Sequence, residues 1–313
     1  MQKIYYIIRR LLQTIPVLVI ITILVFFGLR LIPGDPAVTI LGDKASPQAI
    51  EAMHVRLGLN KPVVLQYVYF LKQILSLDFG TSIVMHRPVI DLFMERASVT
   101  IVYTMFAILF SVVLCVPLGY IAGMRHNRLS GHIIASSCLA LLSLPEFWVG
   151  IIFLIIFAQK LQWFPIGGWG ETWLEHIHSV ILPAFTGALG SIALLVRNIQ
   201  SGIIQVLQKD YVDFAKSKGL SGHLIRIRYV LKNVMVSSIT LMAMRIAYML
   251  GGSVVIETVF ALPGLGKLLV DGVIGRDYPV VQATVLFFAV MVLLITLITD
   301  VCYSLIDPRV DLQ

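Results

Sequence analysis

The chain has 313 residues, 58% of them hydrophobic and only 13% charged, with a mean hydropathy of +0.91. Soluble domains carry about 25% charge, and a globule of this size cannot cover so much apolar surface with polar groups. Soluble, disordered, collagenous and disulfide-scaffold classes therefore fall away, and an all-α polytopic membrane protein remains. The net charge of +7 bears first on topology, because cytoplasmic loops collect Lys and Arg. No basic block with interleaved aromatics stands outside the loops, so nucleic acid is not an expected partner.

Six apolar stretches are long enough to cross about 30 Å of hydrocarbon as helices, at 11–32, 98–124, 133–158, 180–199, 234–258 and 281–306. The first follows Lys3, Arg9 and Arg10 and runs into Pro33-Gly34-Asp35-Pro36. It is longer than the about 7–15 residues of a secretory h-region and has no small-x-small cleavage site, so it reads as an uncleaved anchor with its N-terminus inside. The fourth contains Pro183, Gly187 and Gly190, which are expected to interrupt it.

Basic residues test that orientation. The proposed inner segments hold Arg125 and Arg128, then Lys209, Lys216, Lys218, Arg226, Arg228 and Lys232, and finally Arg309, whereas the two short outer loops hold Lys160, Lys267 and Arg276. Both termini are expected in the cytoplasm, with membrane lipid around the bundle. The chain then divides into 1–32 (N-terminus and first helix), a long outer loop at 33–97, and a five-helix core at 98–313 that carries a long inner loop, 200–233. No internal repeat is visible, a feature that many secondary transporters show.

Chemistry-bearing patterns are mostly missing. HExxH, GxSxG and GxxxxGK[ST] do not occur, and Gly264-Leu265-Gly266-Lys267-Leu268 lacks the first glycine and the Ser/Thr of a phosphate loop. Cys115, Cys138 and Cys302 sit singly in apolar runs and read as small buried hydrophobes. No enzymatic activity is expected. The inner loop is different in kind: residues 210–220, Asp-Tyr-Val-Asp-Phe-Ala-Lys-Ser-Lys-Gly-Leu, read as a short amphipathic helix stopped by Gly219 and Gly222. Physics alone leaves two uses open, a rigid peg for a cytoplasmic partner and a basic segment lying on anionic lipid.

The spacing in this loop resembles the EAA loop of binding-protein-dependent ABC importer permeases, Glu-Ala-Ala-x-x-x-Gly followed by Ile-x-Leu-Pro. Ala215, Gly219 and Leu231 match and Asp213 keeps the charge one methylene shorter, while Phe214, Tyr229 and Lys232 depart. The looser form of the dipeptide/oligopeptide/nickel branch fits better, through Asp210, Tyr211, Val212, Ala215, Lys216, Lys218, Gly219, Leu220, Ser221, Leu231 and Asn233. Further matches run in the same order along nearly the whole chain. They include Gly34, Asp35 and Pro36, Asp78-Phe79-Gly80-Thr81-Ser82, Pro263, Gly264 and Gly266, Asp277, Tyr278 and Pro279, and the closing Asp307-Pro308-Arg309.

The resemblance implies a type I ABC importer permease fold, the first permease of a pair. It implies a homologous second permease, two cytoplasmic ATPases that bind ATP and magnesium, and an external solute-binding protein, with no cofactor on this chain. It places the complex in a bacterial inner membrane. Residues 210–220 would be the coupling helix, with Leu220 as an apolar contact and Gly219 as the exit turn. The cargo would be a peptide, with nickel or a nickel chelate close behind. The alternative class is a self-contained secondary transporter or channel, and paired intramembrane acids would mark it.

Polar groups inside the spans are the other candidates, since charge at membrane depth is expensive and usually functional. Arg245 in the fifth stretch and Asp300 in the sixth can form an interhelical pair or line a pathway. Glu257 lies near an outer gate, and Gly251-Gly252 would allow close helix approach. In the outer segment 159–179, His176 and His178 can be read as a metal relay. The simpler account there is an interfacial belt of Trp163, Trp169 and Trp173.

Overall fold

The computed structural model describes residues 2–31, 35–42, 45–56 and 58–306. Gly34 and Asp307-Pro308-Arg309 lie outside the described residues, as do the side chain of Asp300 and the surroundings of Gly252. Helices occupy most of the described chain, because backbone groups at membrane depth have to bond internally and a helix does so within one segment. They are α1 (Gln2–Leu31), α2 (Pro36–Leu41), α3 (Pro47–Arg56), α4 (Val63–Leu75), α5 (Val89–Met124), α6 (Leu129–Ser143) and α7 (Glu146–Phe153). After them come α8 (Trp173–Leu207), α9 (Asp210–Ser217), α10 (Gly222–Leu224), α11 (Lys232–Val259), α12 (Leu265–Ile274) and α13 (Tyr278–Ile306). Two π-helical turns, Leu154–Lys160 and Ile225–Leu231, extend α7 and lead into α11.

Val89–Met124, Trp173–Leu207 and Tyr278–Thr299 are each long and apolar enough to cross a membrane, and Leu129–Ser143 with Glu146–Lys160 makes a fourth crossing if the pair counts as one. α1 and α11 occupy the places of the first and fifth expected spans. Two expectations need correction. The stretch 133–158 is not one straight helix, because its halves meet at 103°. Pro145 is the cause: it forces Leu144 into an extended conformation (φ −97°, ψ 135°), and a new helix starts at Glu146. The fourth stretch is not interrupted, and α8 runs unbroken for 35 residues through Pro183. It also starts earlier than expected, where Thr172 Oγ1 accepts from Glu175 N (3.3 Å) and the Glu175 carboxylate accepts from Thr172 N (3.2 Å). This reciprocal cap satisfies two otherwise unpaired donors.

The chain divides into two compact units. The first gathers Lys3–Thr100 and Pro263–Leu293. Its core includes Phe26, Phe70 and Leu286, with Tyr67 packed beside them. The Phe26 and Tyr67 rings are 5.2 Å apart, and Thr22 Oγ1 lies 2.9 Å from the Tyr67 hydroxyl. Arg30 covers the Phe26 ring at 3.5 Å and donates to Gln66 Oε1 at 2.5 Å. These contacts bind the C-terminal end of α1 to α4.

The second unit gathers Ile101–Leu262 and the chain from Leu294 on. α8 is its central element, with Val180, Ala184, Ala188, Ala193, Val196, Ile199 and Ile203 all within a few per cent of full burial. α5 approaches it through glycines four residues apart. A Cβ on Gly119 would stand 2.7 Å from Cβ of Ile199, and one on Gly123 would stand 2.7 Å from Cβ of Ile203. The branched isoleucines cannot yield there without moving a helix. Gly119→Ala is accordingly expected to destabilise the detergent-solubilised protein by about 1–3 kcal/mol, the cost of overpacking, read as a lowered midpoint of thermal unfolding. Gly222→Ala, where an added Cβ meets nothing within 4 Å, should leave that midpoint within a degree or two.

Candidate functional site

The inner loop supplies the most organised polar site. α9 carries Asp210 and Asp213 in its first turn and Lys216 in its last, the charge order that the helix dipole favours. Val212 and Ala215, three residues apart, are 0% and 3% exposed and seat the helix on the rest of the loop. Its end is fixed by backbone geometry. Gly219 has φ +74°, Gly219 N donates to Lys216 O at 2.9 Å, and Leu220 N donates to Ala215 O at 3.3 Å. This pair of bonds is the Schellman closure, and its left-handed residue strongly favours glycine.

Two residues far apart in sequence hold the helix in place. Asn233 Nδ2, at the start of α11, donates to the Tyr211 hydroxyl (3.1 Å) and to Tyr229 O (2.7 Å). Tyr211, Tyr229 and Asn233 thus converge, and α9 is tied to the base of α11 through the π-helical turn between them. Lys216 Nζ pairs with Asp213 at 2.8 Å, but both side chains are more than half exposed, so the pair contributes little to stability.

The outward face of α9 differs from expectation. Leu220, the anticipated apolar contact, is half-buried, while Phe214 protrudes at 62% exposure with Lys218 Nζ 4.6 Å from its ring. Phe214 stands where the EAA pattern has a small residue, and that departure was the available signal. Tyr211 adds a second aromatic at 41% exposure.

Of the intramembrane candidates, Arg245 Nε donates to Ser191 Oγ at 3.2 Å, and the guanidinium lies 4.6 Å from the Tyr248 ring. Glu146, absent from the sequence-based candidates, reaches the same place: a Cβ on Gly190 would stand 2.9 Å from Glu146 Oε1 and 3.6 Å from Arg245 Nη2. An acid alone in an apolar run was its signal. Glu257 is fully buried. Gly251 admits no close neighbour among the described residues, since an added Cβ would meet nothing within 4 Å. The close approach is made instead at Gly187, where a Cβ would overlap the Tyr103 hydroxyl.

The outer motifs are structural devices. Asp35 caps α2 by accepting from Ala37 N (2.9 Å), accepts from His54 Nε2 (2.7 Å), and is followed by Pro36 at the first helical position. Gly264 caps α12, and beside it Leu265 N donates to Thr100 Oγ1 at 2.8 Å; Gly266 is buried in the same helix. Pro263 precedes this cap, and Tyr278 and Pro279 open α13. The Asp277 carboxylate, 2% exposed, accepts from the Ser82 hydroxyl, from Ile83 N (3.1 Å) and from Val84 N (3.2 Å). Two motifs nearly 200 residues apart in sequence are one clasp in space. His176 stacks on Trp169 with centroids 4.3 Å apart, and His178 Nε2 donates to Trp163 O at 2.7 Å. Among the described residues no group of three His, Cys, Asp or Glu could hold a metal ion.

Long apolar helices fit to cross a membrane, with a short polar helix in the loop between α8 and α11, define a helical membrane protein. Residues 115–312 match the family of binding-protein-dependent transport system inner membrane components, and residues 3–104 match the N-terminal part of such components. The chain belongs to this family, whose members are permeases of ABC transporters and not enzymes. A peptide transport system permease of Brucella abortus is 38% identical over 307 residues, 97% of this chain and 98% of its own length. The glutathione transport system permease GsiC of Escherichia coli K12 is 36% identical over 305 residues, again 97% of this chain and 98% of its own. The solved inward-facing MetNI methionine ABC transporter shares the fold, with a TM-score of 0.59 at 14% identity over 70% of this chain and 97% of that chain.

Removing one charge tests the outer clasp. Asp277→Asn keeps the shape but weakens the charged acceptor of three donors, at an expected cost of about 2 kcal/mol. Limited proteolysis in detergent should then cut within residues 78–88 faster than in the parent protein.

Proposed function

We propose that this chain is the first of two homologous permeases in an ATP-driven importer, and that α9 is the helix through which an ATPase moves it. The observation that carries the reading is the built form of α9: a stiff helix, closed by Gly219, tied through Tyr211 and Asn233 to the base of α11, with Phe214 exposed. A segment merely resting on lipid has no need of a fixed register to a spanning helix. A peg that transmits force does.

On this reading two cytoplasmic ATPases hold ATP and magnesium, and their closure pushes α9. The tie to α11 carries the displacement into the spans as a rigid rocking of helices. Both termini and α9 face the cytoplasm of a bacterial inner membrane, and the chain crosses six times. The outer segment 33–97 helps to receive an external binding protein. A concavity of about 750 Å³ in the first unit, lined by Lys61, Lys72, Asp78 and His86 together with Phe70 and Phe79 among others, offers that protein a seat of mixed character. The cargo is a peptide: relatives named for peptide and glutathione transport cover the whole length, and they favour peptide over nickel.

Gly219→Val puts a β-branched residue at φ +74°, which should unseat the exit turn. In proteoliposomes containing the whole complex, ATP hydrolysis is expected to persist while uptake falls at least tenfold. Unchanged uptake with unchanged ATPase stimulation would remove α9 from the coupling role. Failure of two ATPase subunits to co-purify with the parent chain would remove the importer reading altogether.

A further inference from the structure

Glu146 and Arg245 form an arrangement that the coupling role does not use. Glu146 opens α7 directly after the break in the middle of the bent pair, Gly190 and Ser191 lie midway along α8, and Arg245 lies midway along α11. All three places lie within long or broken apolar helices, and ionisable side chains in such segments are costly and usually functional. Both charged heads converge on the bare face of Gly190, and both residues are only partly buried. Yet among the described residues no ion pair joins them within 4.0 Å. Opposite charges brought to one glycine and left apart are not the geometry of a closed structural salt bridge.

The details favour a receiving site. Arg245 is steadied from one side by Ser191 Oγ on Nε and from another by the Tyr248 ring, while Nη2 is the guanidinium atom nearest Gly190. A guanidinium held by Nε keeps its Nη donors for a carboxylate, which it can grip with two parallel bonds. Glu146 offers acceptor oxygens to an ammonium group on the other side. Gly190 is what lets both heads come so near α8, since a Cβ there would crowd Glu146 Oε1 at 2.9 Å.

We infer that Glu146 and Arg245 form a zwitterion-binding site in the translocation path, with Arg245 taking the free carboxylate and Glu146 the free ammonium of a small peptide. The inference rests on the peptide-importer reading above and deepens it. It makes the permease itself a checkpoint for free peptide termini, after the binding protein has made its own selection.

The test uses the complete complex, with both permeases, the ATPases and the binding protein, in proteoliposomes. Its probes are dialanine, N-acetyl-dialanine and dialanine amide. Each variant's uptake is divided by the parent complex's uptake of the same probe, so that the binding protein's preference cancels. Arg245→Gln is expected to lower dialanine uptake at least tenfold while sparing the amide, so that the amide-to-acid ratio rises at least fivefold. Glu146→Gln should raise the ratio of N-acetyl-dialanine to dialanine in the same way. A merely structural pair would lower all three probes together, and unchanged ratios would overturn the inference. Should the neutral variants fail to co-purify with the ATPases, Arg245→Lys and Glu146→Asp carry the same comparison, with shifts of at least twofold expected and equal loss of all probes counting against it. A parent complex that takes up none of the probes would overturn the peptide reading and this site together, whereas a working parent with unaltered variant ratios removes only the site.

Discussion

Close helix approach along α8 is the constraint on which the second unit depends. In lipid the apolar side chains gain nothing by leaving one apolar medium for another, so association rests on packing, polar contacts and small residues at the interface. α8 meets this demand from both sides. It takes the glycines of α5 with Ile199 and Ile203, and it presents its own Gly187, Gly190 and Gly202 to Tyr103, Glu146 and Val234. A longer side chain at any of these places would have to displace a neighbouring helix or turn a buried head aside. That is why this glycine-broken helix is also the most thoroughly buried of the three long apolar helices, and why polar groups can gather at its midpoint.

Much of this was open to reading from the sequence, and the boundary between what was and what was not has a physical basis. α9 and its end at Gly219 were legible because periodicity, charge order and a terminating glycine are all local. The aromatic that protrudes from α9 was not, because the helix turns Phe214 outward and Leu220 partly inward, and burial depends on what else packs there. The Tyr211–Asn233 bond spans 22 residues and the Ser82–Asp277 bond spans 195; no local pattern carries such pairings. The unbroken course of α8 through Pro183 was hidden for a related reason. Glycine and proline lower helix propensity, but tertiary packing decided the outcome. Glu146 escaped notice although it obeyed the same rule that singled out Arg245.

The two polar sites differ in how they are held. The α9 site is exposed, so its surface ion pair contributes almost nothing, and its position comes from backbone closure, the buried Val212 and Ala215, and the bonds of Asn233. The Glu146–Arg245 site lies within the spans, where the same charges act through a lower dielectric and a missing partner is expensive.

The break between α6 and α7 has one more consequence. A helix end leaves several carbonyls without helical partners, and here they fall at the corner of the bent pair. Ser143 Oγ bonds to Leu139 O and Leu144 N bonds to Leu141 O, which leaves carbonyls nearer the corner dependent on what surrounds them. Hydrocarbon cannot satisfy them, and each such group costs several kcal/mol there. If the bent pair is one crossing, the carbonyls of residues 140–144 need water or another protein surface beside them. A proline in a greasy stretch thereby limits which surroundings that corner of the second unit can tolerate.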